Sequence, residues 1–390
     1  MSHWTLMDVV EQQQKFVDVV ITCFVNSRKA DDRNATGHAS QLVMKLKQSP
    51  YTTSDWAAVP LHPSPSRMPP LELLHWIFVV STLNFSFWSD ELNHKRFGVT
   101  YKTGVDGKET LNDKIDPGTG QRQAQLQTLT GYFSLLAALH RARDENVDVT
   151  NPRWYANATD EEIRHVFRSD QQEQMPLLDE RIRVLRETGR TLCDRYNGSF
   201  APLVEAANHS ALKLIDLIVS TFACYDDKSL YPATGQEPIY IRKRAQILIA
   251  ETWAAFEGKG FGQFDDIDQV TMFADYRVPQ ILHSLGTIKY SSALEKVLTN
   301  HEMLPQGCPM EVEIRCLSIV AVEEIRRAIA EQLNEPSTID NQQKSENLSN
   351  ETLNAPNAVL LDFLLWDLAK VEEAQGRAQL PHHRTRSVFY

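Results

Sequence analysis

The sequence predicts a mainly α fold, and three observations carry that expectation. Apolar residues recur at three- and four-residue spacing through most of the chain from residue 125 onward, as helices with one buried face require. Helix punctuation accompanies the pattern: Thr159 and Glu162 have capping-box spacing, and Gly258 closes an apolar stripe. Helical patterns also stand at both ends, with no linker and no internal repeat between them, so the simplest arrangement is one large domain over 1–390.

In chain order, Val9, Val10, Phe16, Val17, Val20, Ile21 and Phe24 share one helical face and predict an amphipathic opening helix. The stretch PLHPSPSRMPP at 60–70 cannot be helical and reads as an ordered connection into an apolar helix whose densest run is 76–83. Phe97, Val99 and Tyr101 alternate on one side of a strand, and Asp106 with Gly107 supplies the turn of a small β-hairpin near 96–111. Residues 112–122 read as loop. The capping box starts a helix ahead of Ile163, Val166 and Phe167. Residues 212–222 are apolar nearly all round, as in a central buried helix. Ala245, Leu248, Ile249, Trp253 and Phe256 form the stripe that Gly258 ends; Ile314, Leu317, Ala321, Ile325 and Ile329 form another. Residues 334–357 are polar and aperiodic, which predicts a mobile surface insertion, and 104–123 reads as a second insertion. A last apolar helix covers 359–371.

Hydrophobic residues make up 42% and charged residues 23% of the 390 positions, enough for a substantial core and against wholesale disorder. Forty Lys and Arg face 51 Asp and Glu, and the net charge of −11 offers no general attraction for polynucleotides or anionic membranes. Five cysteines, at 23, 193, 224, 308 and 316, form no CxxC pair and suit a reducing compartment. The opening MSHWTLMDVVEQQQKF lacks the basic flank and apolar run of a secretory signal, and no apolar stretch approaches the ~20 residues of a membrane helix. The expected location is cytoplasmic, with nuclear residence compatible.

No GxSxG, HExxH, Walker A or EF-hand pattern occurs. Gly258, Gly260 and Gly262 follow a helix rather than a strand, so they read as a cap and loop, not a dinucleotide fingerprint. Four segments carry chemistry in unusual company. Phe85, Phe87 and Trp88 crowd around Asn84 and Ser86, and such rings either pack a core or stack on planar bases. Arg242, Lys243 and Arg244 open a helix, where cations oppose the dipole and are either solvated or held for a negative ligand. Asp275 stands between Phe273 and Tyr276 ahead of Pro279, as a helix cap or as a functional carboxylate. Asp362 and Asp367 interrupt a strongly apolar helix; Asp362 shares a face with Trp366, while Asp367 is turned ~140° from Asp362. Acids buried there need a cation or hydrogen-bond donors. His382 and His383 have no further ligands at metal spacing and suit surface or anion contacts better.

Taken together and in order, NFSFW at 84–88, GYFSL at 131–135, MPLLDERIRVLRETG at 175–189, KRAQILIAETW at 243–253, MFADYRVPQ at 272–280, EVEIR at 311–315, LLDFLLWD at 360–367 and the closing HRTRSVFY closely resemble the queuosine salvage proteins, from about residue 8 to 390. The resemblance implies a queuosine 5′-phosphate N-glycosylase, a hydrolase that releases queuine and ribose 5-phosphate so that queuine can re-enter transfer RNA. It implies a helical fold like that of the helix-hairpin-helix DNA-glycosylase superfamily. No cofactor or metal is implied; the partner is a small molecule, without stable nucleic-acid or membrane binding, and the oligomeric state is left open.

By the same resemblance, Asp275 is the catalytic carboxylate and Lys243 a second active-site group, so the fold must bring together positions 275 − 243 = 32 residues apart. Breaking an N-glycosidic bond builds positive charge on the ribose, which a carboxylate beneath it stabilises, or the carboxylate deprotonates the attacking water. Queuine has carbon where guanine has N7, so protonation there cannot help it leave. Phe87, Trp88, Phe273 and Trp366 are candidate faces for the flat base, and Asp362 and Asp367 suit the ammonium and diol of its side chain. Asn84, His94, Tyr276 and Phe363 complete the implied substrate contacts. For the 5′-phosphate, the cations near motif sequences are Arg315, His383, Arg384 and Arg386. The chain departs from the family pattern at Phe133, in GYFSL where GYWSL is commoner, and at Leu364, where relatives often have a second aromatic.

Two other function classes share parts of this pattern. A delivery protein that binds queuine or its nucleotide without cleavage would use the same residues, and only turnover separates it from a hydrolase. A DNA-repair glycosylase follows from fold analogy alone, and the acidity of the chain opposes it.

Overall fold

Local sequence explains most of the elements in a computed structural model of the chain, which describes residues 19–21, 51–90, 95–103, 114–115, 122–123, 125–232, 238–334, 355–377 and 379–390. Strand β1 (Val19–Ile21) pairs antiparallel with residues 288–290. This corrects the expected opening helix at its β-branched run, Val19, Val20 and Ile21, whose stiff side chains suit a pleated edge; the rest of that segment lies outside the described residues. After α1 (Ser54–Ala58) and the proline-rich connection, α2 (Pro70–Thr82) starts on a proline, whose missing N–H is unneeded in the first turn.

The strand expected at 96–102 is β2 (Val99–Thr103), but its partner is not a neighbour ending near 111. Residues 114–115 (β3) pair with 122–123 (β4), and β2 pairs antiparallel with β5 (Gln125–Leu129), with Val99 opposite Leu129. The helical pattern read from 125 therefore begins only at α3 (Tyr132–Asp144). The Asp106 and Gly107 turn and most of the 104–123 insertion lie outside the described residues. Helix α4 (Pro152–Asn157) precedes α5 (Asp160–Val166), which has the expected capping box at Thr159 and Glu162.

Then follow α6 (Leu178–Tyr196), α7 (Ala201–Ala207) and α8 (Ala211–Thr221). The last corrects the expectation of a helix buried all round: it buries Ala211, Leu214, Ile215 and Ile218 while Leu212 is exposed. A short antiparallel pair, β6 (Lys228–Leu230) with β7 (Pro238–Tyr240), leads into α9 (Lys243–Ala255). The chain continues through α10 (Arg277–Ser284), β8 (Ile288–Tyr290), α11 (Ser292–Thr299), the long α12 (Pro309–Asn334) and α13 (Ala358–Ala374). All five apolar positions of the 314–329 stripe are buried. The polar insertion expected at 334–357 lies outside the described residues except at its ends. No helix among the described residues is long and apolar enough to cross a membrane.

The buried apolar side chains form two clusters. One gathers α2, α3, α6, α8 and α9, with Phe85, Phe87 and Phe273. The second gathers α10, α11, α12 and α13, with Met272 and Ala274. Phe273 and Ala274, adjacent in sequence, thus belong to different clusters, and the segment ending at Asp275 runs along their boundary.

Candidate active site

The loop that follows α2, in which Ser86 takes a positive φ of 47°, leaves the carbonyls of Thr82, Leu83 and Phe85 to side-chain donors. Two buried guanidiniums supply the donors. Arg181 donates to the carbonyls of Pro176, Leu83 and Phe85, and Arg244 to those of Thr82 and Cys224. Both cations also stack on Phe85, at 4.3 and 5.2 Å from its ring centre. Rigid backbone here turns Asn84, Phe87 and Trp88 toward a cavity of about 440 Å³. The three cations that open α9 therefore take three different fates: Arg244 braces this loop, Arg242 pairs with Asp216 at 2.7 Å, and only Lys243 faces the cavity.

Lys243 is 4% exposed, and its Nζ donates to the Asn84 carbonyl at 3.1 Å. Burial lowers its pKa to about 8, against the opposing pull of Asp275. Asp275 reaches the same cavity from the turn before α10. Its Oδ1 accepts the backbone N–H of Arg277 and of Val278, each at 2.8 Å, which fixes the carboxylate at the head of that helix. The two readings that the sequence left open, cap and cavity carboxylate, therefore coexist in one side chain. Burial raises the pKa of Asp275, while Lys243 and the two N–H donors pull it back. Asp362 stands close by, accepting the Phe273 N–H at 2.9 Å, and burial and the charge of Asp275 push its pKa well above the carboxylate range. Of these two acids Asp362 is pushed further toward its protonated form, and Asp275 is the one whose charge Lys243 supports most directly.

Aromatic rings line much of the remaining wall. Phe273 meets Phe363 at 5.9 Å, and Tyr132 and Phe133 meet Trp366 edge-on at 6.5 and 6.2 Å. Asp367, on the neighbouring face of α13, accepts the Tyr51 hydroxyl at 3.0 Å. Every described member of the expected substrate set lines the cavity: Asn84, Phe87, Trp88, Phe273, Tyr276, Asp362, Phe363, Trp366 and Asp367. His94 lies outside the described residues. Trp88 is largely buried, and the Arg386 guanidinium lies 3.4 Å from its ring centre, which leaves it little free face.

Of the cations expected at the phosphate, only Arg384 lines the cavity. Arg386 is held by the Trp88 carbonyl and Asp90, and His383 is buried against the Tyr390 hydroxyl at 3.0 Å. Arg315 is fully buried and pairs with Asp227 at 2.7 Å and Glu311 at 3.4 Å. Its place has a different logic. Arg315 Nε donates to the carbonyl of Ala274, next to Asp275, while Asp227, which it grips through both terminal nitrogens, accepts the backbone N–H of Lys243 at 3.1 Å. One guanidinium thus ties together the backbones that carry Lys243 and Asp275.

Sequence reasoning missed several lining residues, among them Tyr51, Trp56, His62, Arg96, Tyr132, Glu251 and Lys370. Glu251 was findable, because it follows Lys243 and Ile247 at four-residue steps on one helical face. Tyr51 and Trp56 carried no signal, since the cavity carboxylates they donate to, Asp367 and Glu251, lie 316 and 195 positions away. Among the described residues no group of His, Cys, Asp and Glu side chains is arranged to hold a metal ion.

A family model described as queuosine salvage protein matches residues 61–390. Among similar curated proteins, one from Nematostella vectensis is 39% identical over 356 residues, covering 90% of this chain and 91% of its own length. A Schizosaccharomyces pombe protein is 38% identical over 94% of this chain and 96% of its own, and one from Sphaerobacter thermophilus is 35% identical over 82% and 81%. Each of the three is named queuosine 5′-phosphate N-glycosylase/hydrolase.

Proposed function

The chain belongs to the queuosine salvage protein family, and from that premise we infer that it hydrolyses the N-glycosidic bond of queuosine 5′-phosphate, releasing queuine and ribose 5-phosphate. The observation that carries the catalytic assignment is the carboxylate of Asp275, anchored through Oδ1 on two backbone N–H groups at the wall of an aromatic cavity. As the bond to the base lengthens, positive charge grows on the ribose, and a preoriented carboxylate stabilises it without reorganising. Its other oxygen, Oδ2, which accepts neither of these N–H groups, suits the proton of the attacking water. Lys243, held on the Asn84 carbonyl, keeps Asp275 ionised through space. Protonated Asp362 is then a neutral donor beside the pair, suited to the departing base or to a substrate hydroxyl.

The aromatic wall of Phe273, Phe363 and Trp366 suits the flat base, and Asp367 with Tyr51 suits the hydroxyls of its side chain. For the 5′-phosphate, Arg384 is joined by Arg96, both on the cavity wall. We further propose that the helical scaffold is that of the helix-hairpin-helix DNA-glycosylase superfamily, a reading supported by the predominance of helices and by an aspartate at the head of one.

Chromatography of reactions with queuosine 5′-phosphate tests the assignment. The wild-type protein should release free base, and Asp275→Asn, which keeps the shape and the cap, should lose about 10²–10⁴-fold in rate. Normal turnover by that variant, with its melting temperature unchanged, would remove Asp275 from the chemistry.

A further inference from the structure

We infer that Glu251 reads the amidine edge of the base, accepting from its ring N–H and its exocyclic amino group; this deepens the hydrolase reading and rests on it. Lys243, Ile247 and Glu251 lie on one face of α9 and all line the cavity. Eight residues of helix place Glu251 ~12 Å along the axis from Lys243. The ribose must sit at the Lys243 end, beside Asp275. A bicyclic base attached there projects its far edge, opposite the glycosidic bond, down the α9 stripe toward Glu251.

The chemistry of Glu251 fits that edge. It is 8% exposed, and one oxygen, Oε2, accepts the indole N–H of Trp56. Its other oxygen has no protein donor among the described residues, and no Lys or Arg forms an ion pair with it there. A carboxylate in so apolar a place costs free energy unless something satisfies it. Burial raises its acid to about 7, so a ligand that offers donors draws it into its ionised form. The nearby polar groups are already engaged: His62 Nδ1 faces the Trp56 carbonyl at 2.9 Å, and its Nε2 faces the Tyr132 hydroxyl at 2.9 Å. With Nδ1 donating to the carbonyl, Nε2 accepts from the Tyr132 hydroxyl. A 7-deazaguanine supplies what is missing, two adjacent N–H donors aimed at one carboxylate, and the lone pairs left on Oε1 and Oε2 accept both.

Inhibition by free bases tests this, using 7-deazaguanine and 7-deazahypoxanthine, which lacks the exocyclic amine. The wild-type protein should prefer 7-deazaguanine by about tenfold or more, because a site built to accept a donor rejects the analogue without it. In Glu251→Gln that preference should fall to about threefold or less, and Glu251→Asp, which keeps the carboxylate, should restore part of it. An aminomethyl group added at ring carbon 7 should change inhibition by the same factor in wild type and Glu251→Gln. No preference in the wild-type protein, or a full preference surviving in Glu251→Gln, overturns the inference. Loss of the aminomethyl effect alone overturns it too, since Glu251 would then serve the side-chain ammonium. Discrimination between the bases by a protein that releases none from the nucleotide would sink the hydrolase reading and leave Glu251 as assigned.

Discussion

At the scale of single residues, the site is a problem of three ionisable groups sharing one dry place. Lys243, Asp275 and Asp362 cannot all take their solution charges, and burial is the largest influence on each. With Asp362 protonated, one cation faces one anion, the arrangement of least cost. The lowered pKa of Lys243, about 8, then has two consequences of opposite sign. Base release should fall as pH rises through about 8, because the ammonium that holds Asp275 ionised is lost. Stability should do the reverse: the unfolded lysine binds its proton more tightly than the folded one, so the cost of the buried ammonium, full below about 8, is relieved between there and ~10.5. A pH profile of kcat/KM beside a denaturation series checks both. An activity limb that survives in Lys243→Met belongs to another group. At this scale Asp275 and Lys243 were legible, because their motifs name them, whereas Arg315 was legible only as a charge. Sequence shows that a cation is present and not which carboxylate it meets, and Asp227, 88 positions away, is what withdraws it from the phosphate.

Among the elements, helix packing was read more faithfully than strand pairing. Helical stripes declare themselves within a few turns, so the 314–329 face and the closing helix were found within a few residues of their ends. Partners of strands are set across distance: β2 looked as though it should turn back at Asp106 and Gly107, yet its ladder is with Gln125–Leu129. Close approach between helices is equally hard to see in advance, and Gly189 shows why. It lies within α6, where a glycine costs ~1 kcal/mol against alanine, so its presence needs a reason. A methyl group there would stand 2.6 Å from the Tyr155 ring and 2.9 Å from the Ala156 backbone nitrogen, both on α4. Gly189→Ala should therefore destabilise the fold by about 1–3 kcal/mol despite its better helix propensity, measured by denaturant unfolding. A stabilised variant would mean that α4 can move aside.

Over the whole molecule, hydrogen bonds made by the groups that build the site tie the two apolar clusters together. Arg315 projects from α12, in the second cluster, to Asp227, whose carboxylate accepts the backbone N–H of Lys243 at the head of α9, a helix of the first cluster. The closing segment does the same from outside. Its Arg384 carbonyl accepts the Leu304 N–H, Thr385 donates to the Leu304 carbonyl, and the Tyr390 hydroxyl donates to Glu311, all on the second-cluster side. Ser86, in the loop of the first cluster, donates its backbone N–H to the Tyr390 carbonyl and its hydroxyl to the Ser387 carbonyl. Separating the clusters would break these bonds together and leave buried charges unpaired, which makes a partly unfolded intermediate costly. We infer that the chain unfolds as one domain, in a single calorimetric transition whose van't Hoff and calorimetric enthalpies agree. Arg315→Lys keeps the charge but loses the fork that grips Asp227 and Ala274 at once. It should lower stability by about 1–3 kcal/mol while the transition stays single. Because the change acts on the spacing of Lys243 and Asp275 rather than on substrate contacts, it should lower kcat more than it raises KM. Two resolved transitions in the wild-type protein would overturn the one-domain reading, and an Arg315→Lys variant with lowered stability but unchanged kcat would reduce Arg315 to a brace without influence on the site.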